Sequence, residues 1–137
     1  MNEQEQIKLV AQAYEQFKNG NIQGLLGLFS DDIEWRLPEI EGVSFSGARG
    51  GRDQVAEFFA SLGEMQEPLR FEPREFIAQG GRVVVLGNYE WHVKTTNRNY
   101  SGEWAHVWTV KDGKLANFNE YTDTAACARA YQMAANA

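Results

Sequence analysis

The chain has 137 residues, of which 43% are hydrophobic and 12% aromatic, and its formal net charge is -6. This length suits one domain and can bury a core without disulfides or metal. The acidic balance and the lack of a Lys/Arg cluster argue against a nucleic-acid partner and against binding to an anionic membrane surface. We therefore expect a single domain over residues 1–137.

Cysteine usage and the first residues of the chain bear on its compartment. Cys127 is the only cysteine, so the chain cannot form an intrachain disulfide and has no cysteine pair at metal-ligand spacing. Residues 1–5 are polar and acidic, unlike a signal peptide, and no apolar run has the length of a transmembrane helix. We expect a cytoplasmic protein with no metal site.

Helical periodicity dominates the first half of the chain. Apolar residues recur at helical spacing near the start, and Asn21 is suited to cap a second helix. The predicted elements are a helix over 3–18, a short helix over 22–29, a turn over 30–32, a strand over 33–37, a glycine-rich loop over 39–51 and a helix over 52–64. The loop is expected to cover the mouth of a pocket.

Strand signals dominate the second half. The predicted strands cover residues 69–78, 82–95, 100–110 and 115–122, with turns at 80–81, 96–99 and 111–114, and a final helix covers 124–134. Asp123 is placed to cap that helix. Helices followed by a strand meander indicate an α+β fold. Long antiparallel strands coil, so helices across a curved sheet leave a conical cavity for a ligand.

Three segments carry a resemblance to a known family. They are LFSDDIEW at 28–35, Gly47 with the helix start GRDQV at 51–55, and the stretch from HVW at 106–108 through DGKL at 112–115 to EYTD at 120–123. Together with the element order, they resemble the nuclear transport factor 2-like superfamily. Within it, the SnoaL-like polyketide cyclases and ketosteroid-isomerase-related proteins are the closer match.

The resemblance covers nearly the whole chain and has consequences for fold and function. It implies a cone-shaped, curved, mixed but mostly antiparallel β-sheet wrapped around the N-terminal helices. It also implies a small hydrophobic ligand, no cofactor and a homodimer formed through outer sheet faces. The fold hosts isomerases, cyclases, epoxide hydrolases and non-catalytic binders, so function depends on the site.

Each strand offers two faces, and periodicity alone does not choose between them. The resemblance selects the face that carries His106 and Glu120. On that basis the predicted substrate-binding residues are Trp35, Leu37, Phe59, Tyr89, Trp91, Trp104, Trp108, Phe118 and Thr122. The predicted catalytic residues are Glu120, His106 and Tyr14.

The chemistry expected of these three residues is proton transfer beside a carbonyl group. Glu120 would be the base, and His106 and Tyr14 would stabilise a developing enolate. The structural alternatives are a surface or ion-paired Glu120, a core His106 bonded to Tyr14 or to backbone, and a core Tyr14.

Two known catalytic sets of this fold are missing from the sequence. The position of the ketosteroid isomerase base falls in WRLP at 35–38, and the Arg-X-Asp pair of epoxide hydrolases falls in GNY at 87–89. The leading hypothesis is a SnoaL-like isomerase or cyclase. The alternatives are a non-catalytic binding or dimerisation module and, third, a limonene-epoxide-hydrolase-like hydrolase.

Overall fold

A computed structural model describes residues 1–132 of the chain. The elements are α1 (Glu3–Lys18), α2 (Ile22–Leu26), β1 (Phe29–Arg36), β2 (Ala48–Gly50), α3 (Arg52–Met65), β3 (Gln66–Gln79), β4 (Arg82–Val93), β5 (Arg98–Lys111), β6 (Lys114–Thr122) and α4 (Thr124–Tyr131). Residues 133 and 134 of the predicted last helix lie outside the described residues. No helix within residues 1–132 has the length and apolar character needed to cross a membrane.

The strands form one six-stranded sheet in the order β2-β1-β6-β5-β4-β3. β1 and β6 are parallel, and every other neighbouring pair is antiparallel. The helix α1 contacts β3, β4 and β6, while α3 contacts β1 and α4 contacts β5. This confirms the predicted α+β fold with a curved, mostly antiparallel sheet, and it places the core between the sheet and its helices.

The helices begin where the sequence provides caps. Asn2 and Glu5 form a reciprocal capping box at the start of α1, which satisfies backbone N–H groups that a helix leaves unpaired. Asp123 accepts a hydrogen bond from the backbone N–H of Ala126, as predicted for the cap of α4. These caps determine the residues at which α1 and α4 begin.

The predicted turn at residues 30–32 is wrong. Residue Phe29 is fully buried and already pairs with Leu115, so β1 starts there and α2 ends at Leu26. The register of β1 shifts between Phe29 and Glu34, and the exposed Asp31 of this irregular stretch pairs with Arg52. Two acidic residues in a row resemble a turn in sequence, but the buried residues on either side hold them within the strand.

Two other boundaries also differ from the prediction. The glycine-rich loop contains the short strand β2, which pairs with β1. Strand β3 begins at Gln66 and continues through Pro68 and Pro73, with a register shift after each proline. Proline lacks the N–H that a central strand needs, and β3 tolerates it because β3 is an edge strand.

Gly87 in β4 makes room for the side chain of Trp104 in β5. A Cβ atom at Gly87 would overlap the Trp104 ring and the backbone oxygen of Glu72. We expect Gly87→Ala to lower the free energy of unfolding by about 1–3 kcal/mol, the usual cost of overpacking. Urea denaturation measures this, with Gly102→Ala as the control because its Cβ would meet only Tyr89 at 3.8 Å. Equal stabilities for the two variants would contradict the packing described.

Candidate functional site

A cavity lies between the concave face of the sheet, the helices and the loop after β1. Its volume is about 90 Å³, and its wall is mainly aromatic. The predicted site residues in its wall are Tyr14, Trp35, Leu37, Phe59, Tyr89, Trp91, His106, Trp108, Phe118, Glu120 and Thr122. The loop after β1 completes the wall with Ile40, Phe45 and Ser46. The Arg49 side chain stabilises this loop by donating a hydrogen bond to the backbone oxygen of Phe45 at 2.8 Å.

Strand register brings the two leading candidates together. His106 in β5 pairs directly with Glu120 in β6, and Trp108 pairs with Phe118 two residues further along. Directly paired residues point to the same face of a sheet, so all four side chains converge on the cavity.

Trp104 is the one predicted wall residue that the structure does not place there. Its ring is buried and stacks at 3.9 Å on His106 and at 5.1 Å on Phe71. It stands over Gly87 and supports His106 from the side. Trp104 lies on the inward face of β5, as the resemblance implied, but the rings of His106 and Phe71 line the cavity in its place.

A chain of hydrogen bonds runs behind His106. The Trp108 indole Nε1–H donates to the hydroxyl oxygen of Tyr14 at 2.9 Å, and that hydroxyl lies 2.7 Å from Nδ1 of His106. Burial raises the pKa of Tyr14 well above its ordinary value, so the phenol keeps its proton. Indole is a donor only, and the Tyr14 proton therefore goes to Nδ1, which leaves the His106 hydrogen on Nε2.

That tautomer presents an N–H group to Glu120. The distance from Nε2 of His106 to Oε1 of Glu120 is 3.7 Å, and the two side chains are 5% and 12% exposed. Within residues 1–132, His106 is the one ion-pair partner of Glu120. The separation exceeds a hydrogen bond, so both the N–H and the carboxylate remain able to bond to a ligand.

The protonation of His106 predicts a pH-dependent stability. Burial lowers its pKa, and the nearby Glu120 carboxylate offsets only part of this effect. Below about pH 6.5 the unfolded chain therefore binds a proton that the folded protein resists, and stability falls as the pH falls. We expect the stability advantage of the wild type over His106→Asn to shrink between pH 7.5 and 5, by at most about 1.4 kcal/mol per pH unit.

Chemical denaturation at several pH values measures this difference. His92→Asn is the matched control, since His92 is the only other histidine and pairs with Asn99 at the surface of β4 and β5. A constant difference between wild type and His106→Asn across this range would contradict a neutral, buried His106.

A second hydroxyl pair lies further along the wall. The Thr122 hydroxyl donates to the backbone oxygen of Glu103 at 3.0 Å, so the Tyr89 hydroxyl must donate to Thr122 at 2.6 Å. Neither hydroxyl proton is directed at the cavity. Both residues line the wall, and Tyr89 presents its ring to the cavity.

Several wall residues were not predicted. Phe71 and Tyr100 could have been found by strand alternation, because Phe71 pairs with Tyr89 and Tyr100 is in phase with His106 along β5. Gln66 and Cys127 also line the cavity. Gln66 lies before the predicted strand, and no sequence signal marks it.

Comparison with known proteins bears on the family. The model of the SnoaL-like domain family matches residues 10–118. A nuclear transport factor 2-like protein from Burkholderia xenovorans LB400 is 36% identical, with 96% of this chain and 99% of that chain covered and a TM-score of 0.87. A nuclear transport factor 2-like protein of unknown function from Burkholderia pseudomallei K96243 is 28% identical, with coverages of 96% and 99% and a TM-score of 0.85.

A further similar structure is TerC co-crystallised with polyporic acid. It is 31% identical, with 93% of this chain and 98% of that chain covered and a TM-score of 0.82. Comparison with functionally curated proteins found no significant match. The match over residues 10–118, the identities above 30% and the shared fold show that this chain belongs to the SnoaL-like domain family of the nuclear transport factor 2-like superfamily.

Proposed function

We propose that the protein binds a small hydrophobic carbonyl compound in its cavity and transfers a proton next to the carbonyl group, as in an isomerisation or cyclisation. The observation that carries this proposal is the pair formed by Glu120 and His106, which face each other at 3.7 Å in an aromatic wall. Glu120 can accept the proton from carbon, and His106 can donate a hydrogen bond to the carbonyl oxygen. An enolisation needs both of these functions.

In the proposed reaction, a carboxylate oxygen of Glu120 takes a proton from the α-carbon of the substrate. The C–H electron pair becomes the new C=C bond, and the carbonyl π pair moves to oxygen. The Nε2–H of His106 donates to that oxygen as charge develops on it. Return of the proton from Glu120 to carbon, at the same or another position, restores the carboxylate.

Tyr14 acts in this scheme as a positioning residue. The Tyr14 hydroxyl donates its proton to Nδ1 of His106 and accepts a hydrogen bond from Trp108. The hydroxyl therefore has no proton left to donate to a substrate oxygen, which is the role that the sequence analysis predicted for it. It instead holds the tautomer that places the hydrogen on Nε2. The predicted oxyanion role is therefore proposed for His106 alone.

The proposal draws support from the wall and from one relative. Aromatic rings from β1, β5 and β6 surround the pair, with Trp35 stacked on Phe118 at 3.9 Å. Such a wall favours flat hydrophobic ligands. TerC, which is 31% identical to this chain, was co-crystallised with polyporic acid.

Hydrogen exchange in D₂O tests the proposal directly. 2-Tetralone is a flat, enolisable ketone, and proton NMR follows the loss of its α-hydrogens. We expect exchange faster than in buffer alone, with saturation at high ketone concentration. Exchange at the buffer rate, with binding of the ketone shown by calorimetry, would favour a non-catalytic binding module, which is the second candidate function.

We also propose a homodimer through the outer face of the sheet. Ile77, Leu86 and Tyr121 are 47%, 37% and 59% exposed there. Ala105 pairs with both Leu86 and Tyr121, and Val84 pairs with both Ile77 and Val107. An exposed apolar band of this kind is typical of an association surface. Sedimentation velocity should give a dimer for the wild type and a monomer for Leu86→Arg; a monomeric wild type would contradict the proposal.

A further inference from the structure

The cavity wall contains a second polar group besides Glu120 and His106. Gln66, at the start of β3, is 2% exposed and lines the cavity. Its side-chain oxygen accepts from the Tyr100 hydroxyl at 2.9 Å and from the Tyr131 hydroxyl at 2.5 Å. Within residues 1–132, the hydrogen bonds of the Gln66 side chain all go to this oxygen, and none is formed by its nitrogen.

The two tyrosines fix the orientation of the amide. Burial raises the pKa of both Tyr100 and Tyr131, so both phenols keep their protons. Those protons need an acceptor, and an amide offers one only on its oxygen. The NH₂ group of Gln66 is thereby left with two donors that no residue within 1–132 uses, on a side chain that lines the cavity.

Gln66 and the catalytic pair line one cavity at separate places along the length of β5. Tyr100, which anchors Gln66, and His106 lie six residues apart on β5, or ~20 Å between Cα atoms in an extended strand. The aromatic rings of Phe71, Tyr89 and Trp91 also line this cavity. Side chains reach inward from both places, so a ligand that touches both is elongated, about two linked rings long.

We propose that Gln66 is a ligand-binding residue that donates a hydrogen bond to an oxygen at the far end of the substrate. The substrate class is then an elongated aromatic carbonyl compound with a second oxygen acceptor opposite the reacting carbonyl. This inference rests on the proposed function for the position of that carbonyl. In this role, Gln66 favours those hydrophobic ketones that carry an oxygen acceptor opposite the reacting carbonyl. It takes no part in proton transfer.

A matched pair of ketones tests this role. 4-Acetylbiphenyl has one oxygen, and 4-acetyl-4′-methoxybiphenyl adds an ether acceptor at the other end. Quenching of tryptophan fluorescence gives the Kd of each compound without any turnover. We expect wild type to bind the methoxy compound about fivefold more tightly, the effect of one net hydrogen bond.

Variants separate ligand binding from structure. Gln66→Met removes the donor, and Gln66→Glu keeps an acceptor for the two tyrosines while replacing the NH₂ group by oxygen. Both should lose the fivefold preference, whereas Gln79→Met at the exposed end of β3 should keep it. Because Gln66→Met leaves two phenols without an acceptor, its folding is checked by circular dichroism, and Gln66→Glu decides if it fails to fold.

The outcomes are distinct from those of the exchange assay. If a folded Gln66 variant still binds the methoxy ketone more tightly than 4-acetylbiphenyl, the proposed role of Gln66 is wrong. It is also wrong if the wild type binds neither ketone, or binds both equally well. Proton transfer measured with 2-tetralone would stand in each case. In the converse result, the Gln66 variants lose the preference while the wild type exchanges 2-tetralone only at the buffer rate. Gln66 would then belong to a binding site, and the proposed catalysis would be wrong.

Discussion

Glu120→Gln is expected to slow the catalysed exchange of 2-tetralone α-hydrogens by about 10²- to 10⁴-fold, the usual contribution of a general base. The amide has nearly the same shape as the carboxylate but cannot take a proton at neutral pH. Binding of the ketone should change little, because the aromatic wall supplies most of the contact. The effect therefore belongs to kcat and leaves KM nearly unchanged.

Glu67→Gln is the matched control for this loss of charge. Glu67 is exposed on β3, away from the cavity, and its variant should exchange at the wild-type rate. A Glu120→Gln protein with wild-type kcat would show that another group removes the proton. A rise in KM with unchanged kcat would reduce Glu120 to a binding residue.

Trp35→Ala is expected to have the largest effect on stability, a loss of about 3–5 kcal/mol in the free energy of unfolding. Its side chain is 4% exposed and stacks on Phe118 at 3.9 Å, with Phe58 and Phe59 at 5.4 and 5.5 Å. Truncation removes these contacts and leaves a void between the sheet and α3. The surrounding side chains can fill that void only in part.

Urea denaturation measures that loss, and Leu69→Ala is the control. Leu69 is a large apolar residue on β3 but is 51% exposed, so its truncation should cost less than about 0.5 kcal/mol. A cost below about 1 kcal/mol for Trp35→Ala would mean that the wall residues pack loosely and that the cavity is not held by its aromatic cluster.

Sequence periodicity predicted which side chains share a face of a strand where the strands are long and regular. On β5 and β6 it placed His106, Trp108, Phe118 and Glu120 on one face, and the ladder between the two strands brings them together. The choice of that face as the inner one came from the family resemblance, since alternation is symmetric between faces.

Prediction failed where a tertiary contact overrides a local signal. The start of β1 was missed because the pairing of Phe29 with the distant Leu115 is invisible in the local sequence. Trp104 was misplaced because two neighbouring rings line the cavity in its place. Gln66 was missed because its environment is created by Tyr100 and Tyr131, which are 34 and 65 residues away.

The proposed reaction requires a carbonyl oxygen to bind at Nε2 of His106 with Glu120 beside it. A crystal structure with 2-naphthol, the fully aromatic analogue of the 2-tetralone enol, tests this most directly. We expect the naphthol oxygen about 2.7–3.2 Å from Nε2 of His106, with the ring between the aromatic wall residues and a carboxylate oxygen of Glu120 next to the adjacent ring carbon. A naphthol that binds in the cavity with its oxygen away from His106, or that binds outside the cavity, would contradict it.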